Sequence, residues 1–418
     1  MKQIYSFSIY LYLFAIHVAS FFNPKARLWV AGRKNIFQKL KSELQNAEGL
    51  NPEPGLIWFH CASLGEFEQG RPLIEKIERE QPEAKILLTF FSPSGYEIRK
   101  NYDGADYIFY LPMGTPALAK KFIEIVKPKV AIFIKYEFWF NYLDELKKRH
   151  VPTYLICGIF REEQYFFKKY GAWFRKQLNS FTYFYLQDEQ SQKSLSSIGY
   201  HNSMVSGDTR FDRVFEISKN VKQFDIVKQF IGDKKIMIAG STWEEDEKII
   251  SGLKFQNFGF KLIIAPHKID ENHIQSIISR FKKNSVIRYS EAAQNDILNA
   301  DVLIIDNIGM LSSLYQYGCI AYVGGGFGSG IHNILEAATF GLPIIFGPNY
   351  HKFIEAGELI HLGGAFTVSS VKELKSTFVL LSKPEELKKA SFVSKSYILK
   401  HIGATDKILK SIFKWQDL

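Results

Sequence analysis

Cysteine is scarce: Cys61, Cys157 and Cys319 are the only three in 418 residues, and they lie far apart along the chain. That spacing excludes a disulfide framework and a paired-cysteine zinc site, and it fits a reducing, cytosolic setting. Charge is missing from residues 3–22, "QIYSFSIYLYLFAIHVASFF", which contain no Asp, Glu, Lys or Arg. The run "GGGFGSGIHNILEAATFGLPIIFGPNY", residues 324–350, has glycine in abundance but lacks two other things. Ser329 stands where a dinucleotide fingerprint needs its third glycine, and Ile331 follows Gly330 where the phosphate loop of NTPases needs lysine. What remains is a phosphate-binding turn without the catalytic parts of a nucleoside triphosphatase.

Apolar residues are plentiful. At 46% hydrophobic and 15% aromatic, the chain has ample surface to bury and is not disordered. Its length favours two domains. A formal charge of +10 suits nucleic acid, but equally an enzyme working at an anionic membrane or on phosphorylated substrates, and we read the second. The uncharged segment is about long enough to span a bilayer and is followed by Lys25, Arg27, Arg33 and Lys34, which would keep the remainder on the cytoplasmic side. Its tyrosines, serines and His17 also permit a helix lying in the interface, and a buried core helix is the third reading.

From residue 56 onward, short apolar runs alternate with amphipathic charged segments, the signature of parallel sheets wrapped by helices. Strands are expected at 56–62, 85–91, 107–111, 130–134, 153–157 and 182–187, then at 235–240, 261–265, 285–289, 302–306, 320–323 and 343–346. The polar stretch "GDTRFDRVFEISKNVKQFD" between the two sets reads as a hinge. The expected organisation is an anchor over 1–24, one doubly wound α/β domain over 25–212, a second over 213–400, and a helix within 401–418 packing back on the first. Two Rossmann-like domains of this kind place ligands at the carboxyl ends of their strands, facing a central cleft.

Candidate site residues follow from that expectation. In "ASLGEFEQGRPLIEKI", Ser63 can cap a helix, Gly65 permits a tight turn, and Glu66 falls in the first helical turn, either for the dipole or as a base accepting a proton from an attacking hydroxyl. "AIFIKYEFWFN" ends a strand with Lys135 and Glu137, which face the ligand or form a surface ion pair. Arg210, in "VSGDTRFD", occupies a loop from which a guanidinium can reach an anion. In the second half, Ser241 and Thr242 offer backbone N–H groups at a strand end, Pro266 and His267 end another strand, and Gly309 opens a helix after Asp306. The 324–350 run is read as a strand, then glycines that let a donor approach the main chain at Gly330 and His332, then the helix "HNILEAATFG". Asn333 and Glu336, three apart, share a face of that helix where a carboxylate can hold ribose hydroxyls. His332 and Glu336 could instead bind a metal, but no third ligand is evident. The ensemble describes a nucleotide-sugar pocket.

The motif order "SLGE", "EFWFN", "GDTRFD", "GSTWEEDE", "APHK", "IGML" and "GIHNILEAATFGLPIIFGPN" resembles that of the 3-deoxy-D-manno-octulosonic acid (Kdo) transferases, two-domain GT-B glycosyltransferases of lipid A assembly, from the N-terminal segment to about residue 365. The resemblance implies transfer of Kdo from CMP-Kdo to the 6′-hydroxyl of a lipid A precursor, with inversion and without a required metal or cofactor. It implies that Glu66 is the base, that Arg210 stands where the family usually has lysine, and that Pro266, His267, Gly309, Met310, Leu311, Asn333, Ile334, Leu335 and Glu336 match segments contacting CMP. The chain departs from the family pattern at Lys135, where an acid is usual, at His267, where arginine is common after the proline, and at Met310, where glutamate is frequent. The expected protein is an inner-membrane-associated enzyme with no nucleic-acid partner, its catalytic domains on the cytoplasmic side and its basic region against anionic lipid. The rival readings are a nucleotide-sugar epimerase of the same architecture and a membrane-tethered, non-catalytic nucleotide-sugar binding protein.

Overall fold

The computed structural model of the chain describes residues 1–45, 55–281, 285–294 and 297–413. It divides into two compact units, Met1–Asp212 with Gly403–Leu418, and Arg213–Ile402. Residues 414–418 of the expected terminal helix lie outside the described residues.

The first unit carries β1 (Leu56–Cys61), β2 (Lys85–Phe90), β3 (Tyr107–Tyr110), β4 (Val130–Ile134), β5 (Thr153–Gly158), β6 (Tyr183–Leu186) and β7 (Ser203–Val205), in the order β3-β2-β1-β4-β5-β6-β7. Its strand pairs are all parallel. Side-chain alternation splits the core between the sheet's two faces. Trp58, Leu87 and Phe133 pack into one buried cluster, while Ile57, Phe59, Ile86, Leu88 and Ile132 pack into the other.

The second unit carries β8 (Lys235–Thr242), β9 (Phe260–Pro266), β10 (Val286–Arg288), β11 (Val302–Ile304), β12 (Ile320–Val323), β13 (Ile344–Phe346) and β14 (Ala365–Thr367). They form a second parallel sheet in the order β10-β11-β9-β8-β12-β13-β14. In each sheet the winding reverses beside the first strand, between β1 and β4 and between β8 and β12. The connections diverge there and leave a crevice at the carboxyl edge, where open α/β sheets bind ligands. The expected alternation is therefore present, with two additions: the edge strands β7 and β14, three residues each, are too short to show a period.

The uncharged N-terminal segment departs from a single helix over 3–22. Helix α1 (Lys2–Ala19) is 18 residues, about 27 Å long. It stops because Asn23 accepts from the amides of Lys25 and Ala26 and Pro24 sits at the first position of α2 (Pro24–Gly32), a strong start signal. The two helices meet at 120°, and among the described residues no single helix is long and apolar enough to cross a membrane. Tyr5, Ile9, Leu13 and Ile16 pack toward Trp29, Met113 and Trp139, and Lys2 pairs with Asp144 at 2.6 Å. Ile4, Phe7, Leu11, Phe14 and Val18, also at helical spacing, stay exposed, and Phe21 and Phe22 continue the apolar surface.

Arg33 is not a lipid-facing charge. It donates to the carbonyls of Leu111 (2.8 Å), Trp29 (3.0 Å) and Phe91 (2.7 Å), and its guanidinium lies 3.6 Å from the Trp29 ring centre. Burial lowers its pKa to about 9, still charged at neutral pH. Arg33→Met leaves those carbonyls without their donor and should cost on the order of 2–3 kcal/mol, read as a lower denaturant midpoint at unchanged slope.

Both chain crossings between the units lie beside one carboxylate. Asp212 accepts from Thr405 N and Thr405 Oγ, each at 2.7 Å, and also from Gly403 N, so it holds the start of the returning helix Ala404–Phe413. The stretch expected as a hinge is mostly the helix Arg210–Lys219, and the unit boundary falls inside it.

Candidate active site

In the first unit the chemistry gathers at the carboxyl ends of β1 and β4. Ser63 is the N-cap of helix α4 (Leu64–Glu80), and its hydroxyl donates to the carboxylate of Glu66 in the first turn. Phe67, Leu73, Ile74 and Ile77 of α4 are buried in the cluster that holds Ile57 and Phe59, which fixes the helix on the sheet. Gly65 is exposed and Glu66 half-buried, so this carboxylate remains accessible. Tyr136, just past β4, lies within its field: burial raises the phenol's pKa, Arg161 opposes that, and Asp188 and Glu66 reinforce it.

Arg210 is the first residue of its helix and not a loop residue. It is held by Asp208, which accepts from its Nε at 2.9 Å and lies 2.8 Å from Nη2. Asp208 also accepts from Gln69 Nε2 at 3.2 Å, and the Thr209 hydroxyl donates to the Gln69 carbonyl. Gln69 is three residues beyond Glu66 on α4, so the Glu66 helix and the Arg210 segment are tied together.

Lys135 and Glu137 answer differently from either expectation. Lys135 takes a left-handed backbone, φ 66°, with its ammonium 5.4 Å from the Tyr136 ring centre. The strained turn sends Glu137 inward, where its carboxylate accepts from the Trp139 indole and stands 3.3 Å from Nε2 of the fully buried His60. His60 Nδ1 is 2.9 Å from Thr89 Oγ, which also accepts from Trp58 Nε1 at 2.8 Å. Glu137 is therefore a partner for a buried imidazole, a role the sequence signals only through a histidine inside an apolar strand.

In the second unit the glycine run is built otherwise than expected. The helix is short, Leu335–Ala338, and His332 and Asn333 precede it. A Cβ on Gly324 would sit 2.3 Å from the Ser241 carbonyl oxygen, and one on Gly326 would sit 2.6 Å from the backbone of Gly347. The Gly325 amide donates to Asp246 at 2.9 Å. These three glycines serve backbone packing, and the Gly325 N–H is taken by a carboxylate within the fold. Ile334 and Leu335 are buried at 2% and 0% exposure, so their side chains belong to the core. Thr242 is also fully buried, its hydroxyl donating to Glu247 at 3.0 Å, while Ser241 adopts φ 53°.

An accessible surface remains nearby. A cavity of about 440 Å³ is lined by Trp243, Glu244, Glu245, Gly328, Ser329, Gly330 and His332 among others. Trp243 stacks on His267 at 4.5 Å, His267 stacks on His332 at 4.6 Å, and the indole N–H donates to His332 Nε2 at 3.0 Å. Burial holds both imidazoles below their ordinary pKa, with Lys268 adding to the effect on His267 and His267 to that on His332. Asn333 donates to Glu336 at 3.1 Å, so those two do meet, although from a loop and a helix. Pro266 is buried beneath His267, Met310 is buried, and Gly309 is exposed at φ 92° just before Leu311 opens its helix. Trp243 and Asp246 lie in "GSTWEEDE", the stretch that suggested an anion turn, but only the fold reveals the stack. Among the described residues no cluster of three His, Cys, Asp or Glu side chains is placed to hold a metal.

Comparison with known proteins adds the family. Residues 34–213 match the family described as 3-deoxy-D-manno-octulosonic-acid transferase (kdotransferase). The 3-deoxy-D-manno-octulosonic acid transferase of Aquifex aeolicus (strain VF5) is 30% identical over 349 residues, covering 82% of this chain and 90% of that protein. The transferase of the same name from Haemophilus influenzae is 25% identical over 373 residues, covering 86% of each. The solved UDP-GlcNAc 2-epimerase from Neisseria meningitidis, bound to UDP-GlcNAc, superimposes with a TM-score of 0.60 at 17% identity, covering 86% of this chain and all of that one, a likeness of fold alone. With the Glu66 motif at the end of β1, and relatives named for this transfer along most of its length, the chain belongs to the 3-deoxy-D-manno-octulosonic acid transferase family.

Proposed function

We propose that this Kdo transferase moves Kdo from CMP-Kdo to the 6′-hydroxyl of a lipid A precursor, with Glu66 as general base. The observation that carries the reading is an accessible carboxylate, oriented by Ser63, at the reversal point of the first sheet. Glu66 takes the proton of the acceptor hydroxyl, the oxygen bonds to the anomeric carbon, and the bond from that carbon to the CMP phosphate breaks, releasing CMP as an anion with inversion. Arg210 stabilises negative charge in competition with Asp208, and Glu137 positions the β4 turn through His60. The second unit takes the donor at the Trp243–His267–His332 stack and the loops ending at Gly309, Ser329 and Gly330. Incubating the protein with CMP-Kdo and a tetra-acylated lipid A precursor should release CMP and give a lipid heavier by Kdo. CMP release without a heavier lipid would reject the acceptor, and no turnover with tight donor binding would favour a silent binding protein.

The paired imidazoles make donor binding pH-dependent. A phosphate bound beside His267 and His332 favours their charged forms and raises both depressed pKa values, so protons are taken up on binding. CMP affinity should therefore rise as pH falls from the raised pKa values of the complex toward the depressed ones of the free protein, which lie below the ordinary imidazole range. Calorimetry in two buffers of different ionisation enthalpy, run well above the second pKa of a phosphate monoester at about 6 so that CMP is already a dianion, reads the uptake directly, and no uptake there would place the phosphate elsewhere.

The apolar stripe of α1 suits attachment in the plane of the inner membrane, with both catalytic units on the cytoplasmic side. Phe14→Glu with Phe21→Glu should lower the fraction floating with anionic vesicles severalfold at unchanged melting temperature. Undiminished flotation would move the contact to another surface.

A further inference from the structure

A second cavity, distinct from the residues above, lies in the first unit. It measures about 520 Å³ and is bounded by α1, α2, the helix α3 (Ile36–Gln45) and the segment after β3. Its walls are apolar: Leu13, Trp29, Val30, Phe37, Met113 and Leu118. Such a volume falls within the ~300–1,000 Å³ of small-ligand pockets.

Three observations indicate what fits there. Trp29 is only 3% exposed, and its indole nitrogen has no hydrogen-bond partner among the described residues. That nitrogen is itself shielded, so what Trp29 offers the cavity is the carbon surface of its ring, which suits an apolar chain. The rim carries an exposed cation, Lys34, beside the exposed His17, whereas Arg33 is held by backbone carbonyls. Finally, α1 supplies both Leu13 to the cavity and the exposed stripe of Phe14 and Val18, so an apolar chain can enter from the surface without crossing polar ground.

We propose that this cavity receives one acyl chain of the acceptor lipid, the chain lying against the apolar wall and the anionic head facing Lys34. The proposal rests on the reading that the acceptor is an acylated, phosphorylated glycolipid. A free phosphate or nucleotide would leave the apolar walls unused.

The test is photolabelling of the full chain with a lipid A precursor bearing a diazirine in one acyl chain, with CMP release from CMP-Kdo followed in the same sample. Label should map to peptides covering residues 29–38 and 112–118 and be displaced by unlabelled precursor, but not by the same concentration of phosphatidylglycerol. Ala31→Trp, placed on the exposed rim and so compatible with folding, should cut labelling about tenfold or more by filling the entrance. Trp29→Phe, which keeps an apolar ring in the wall, should weaken it less. Turnover with the label mapping elsewhere, or undiminished labelling of a folded Ala31→Trp protein, overturns the cavity's role. Equal displacement by phosphatidylglycerol overturns the acceptor as occupant. Labelling of the cavity without turnover supports the acyl site while overturning the transfer reading on which its ligand rests.

Discussion

Glu66→Gln is expected to lower Kdo transfer by about 10²- to 10⁴-fold, the usual range for a positioned general base, with CMP affinity unchanged. Glutamine keeps the length of the side chain and can still accept from the Ser63 hydroxyl at the start of α4, so the helix should be retained. That separates two readings of the same contact. Ser-x-x-Glu is also a helix-start pattern, and if Glu66 served only α4, the substitution would cost about 1 kcal/mol of stability or less and leave the rate intact. A melting temperature near that of the parent with turnover reduced at least a hundredfold is the expected pair of results. Full turnover would remove Glu66 from the chemistry.

Gly326→Ala should be among the most damaging single-methyl changes in the second unit. The added Cβ would lie 2.6 Å from both N and Cα of Gly347, and a Cβ on Gly347 would in turn lie 2.7 Å from the Gly326 carbonyl carbon. Neither side is a side chain that can turn away: two backbones touch between the ends of β12 and β13, and the Gly326 carbonyl also accepts from Asn349 N at 2.8 Å. Overpacking of this kind costs ~1–3 kcal/mol and more where backbone must move, so a loss of about 3 kcal/mol is expected in urea denaturation. Gly328→Ala is the control. It lines the cavity beside Trp243, its nearest contact would be 3.6 Å away, and its stability should equal that of the parent. Equal stability of the Gly326 variant would mean that the glycines serve a ligand after all.

The same glycine run measures how far the amino-acid sequence carries. Dense glycine between a strand and a helix states that backbone must come close to something. Phosphate was the sequence expectation, but Gly324 meets Ser241 and Gly326 meets Gly347, the first of these contacts joining segments more than eighty residues apart. The pattern "EFWFN" likewise suggested an outward Glu137, whereas the turn at Lys135 directs it to His60 on β1. Glu66 was legible because a strand end followed at once by Ser-Leu-Gly-Glu places the carboxylate by local geometry alone.

The order of apolar runs and charged amphipathic segments by itself determined two parallel sheets, Glu66 at the end of β1 and an N-terminal segment with no charge. These are local consequences, since strand alternation and helix starts depend on neighbours a few residues away. Only tertiary structure decided that Arg210 is bound by Asp208, that Arg33 is interior, that α1 and α2 bend by 120°, and that Trp243 stacks on two imidazoles. Each of those depends on which distant segments the winding of a sheet brings into contact, and a side chain's partner decides whether its charge or hydrogen bond is left for a substrate.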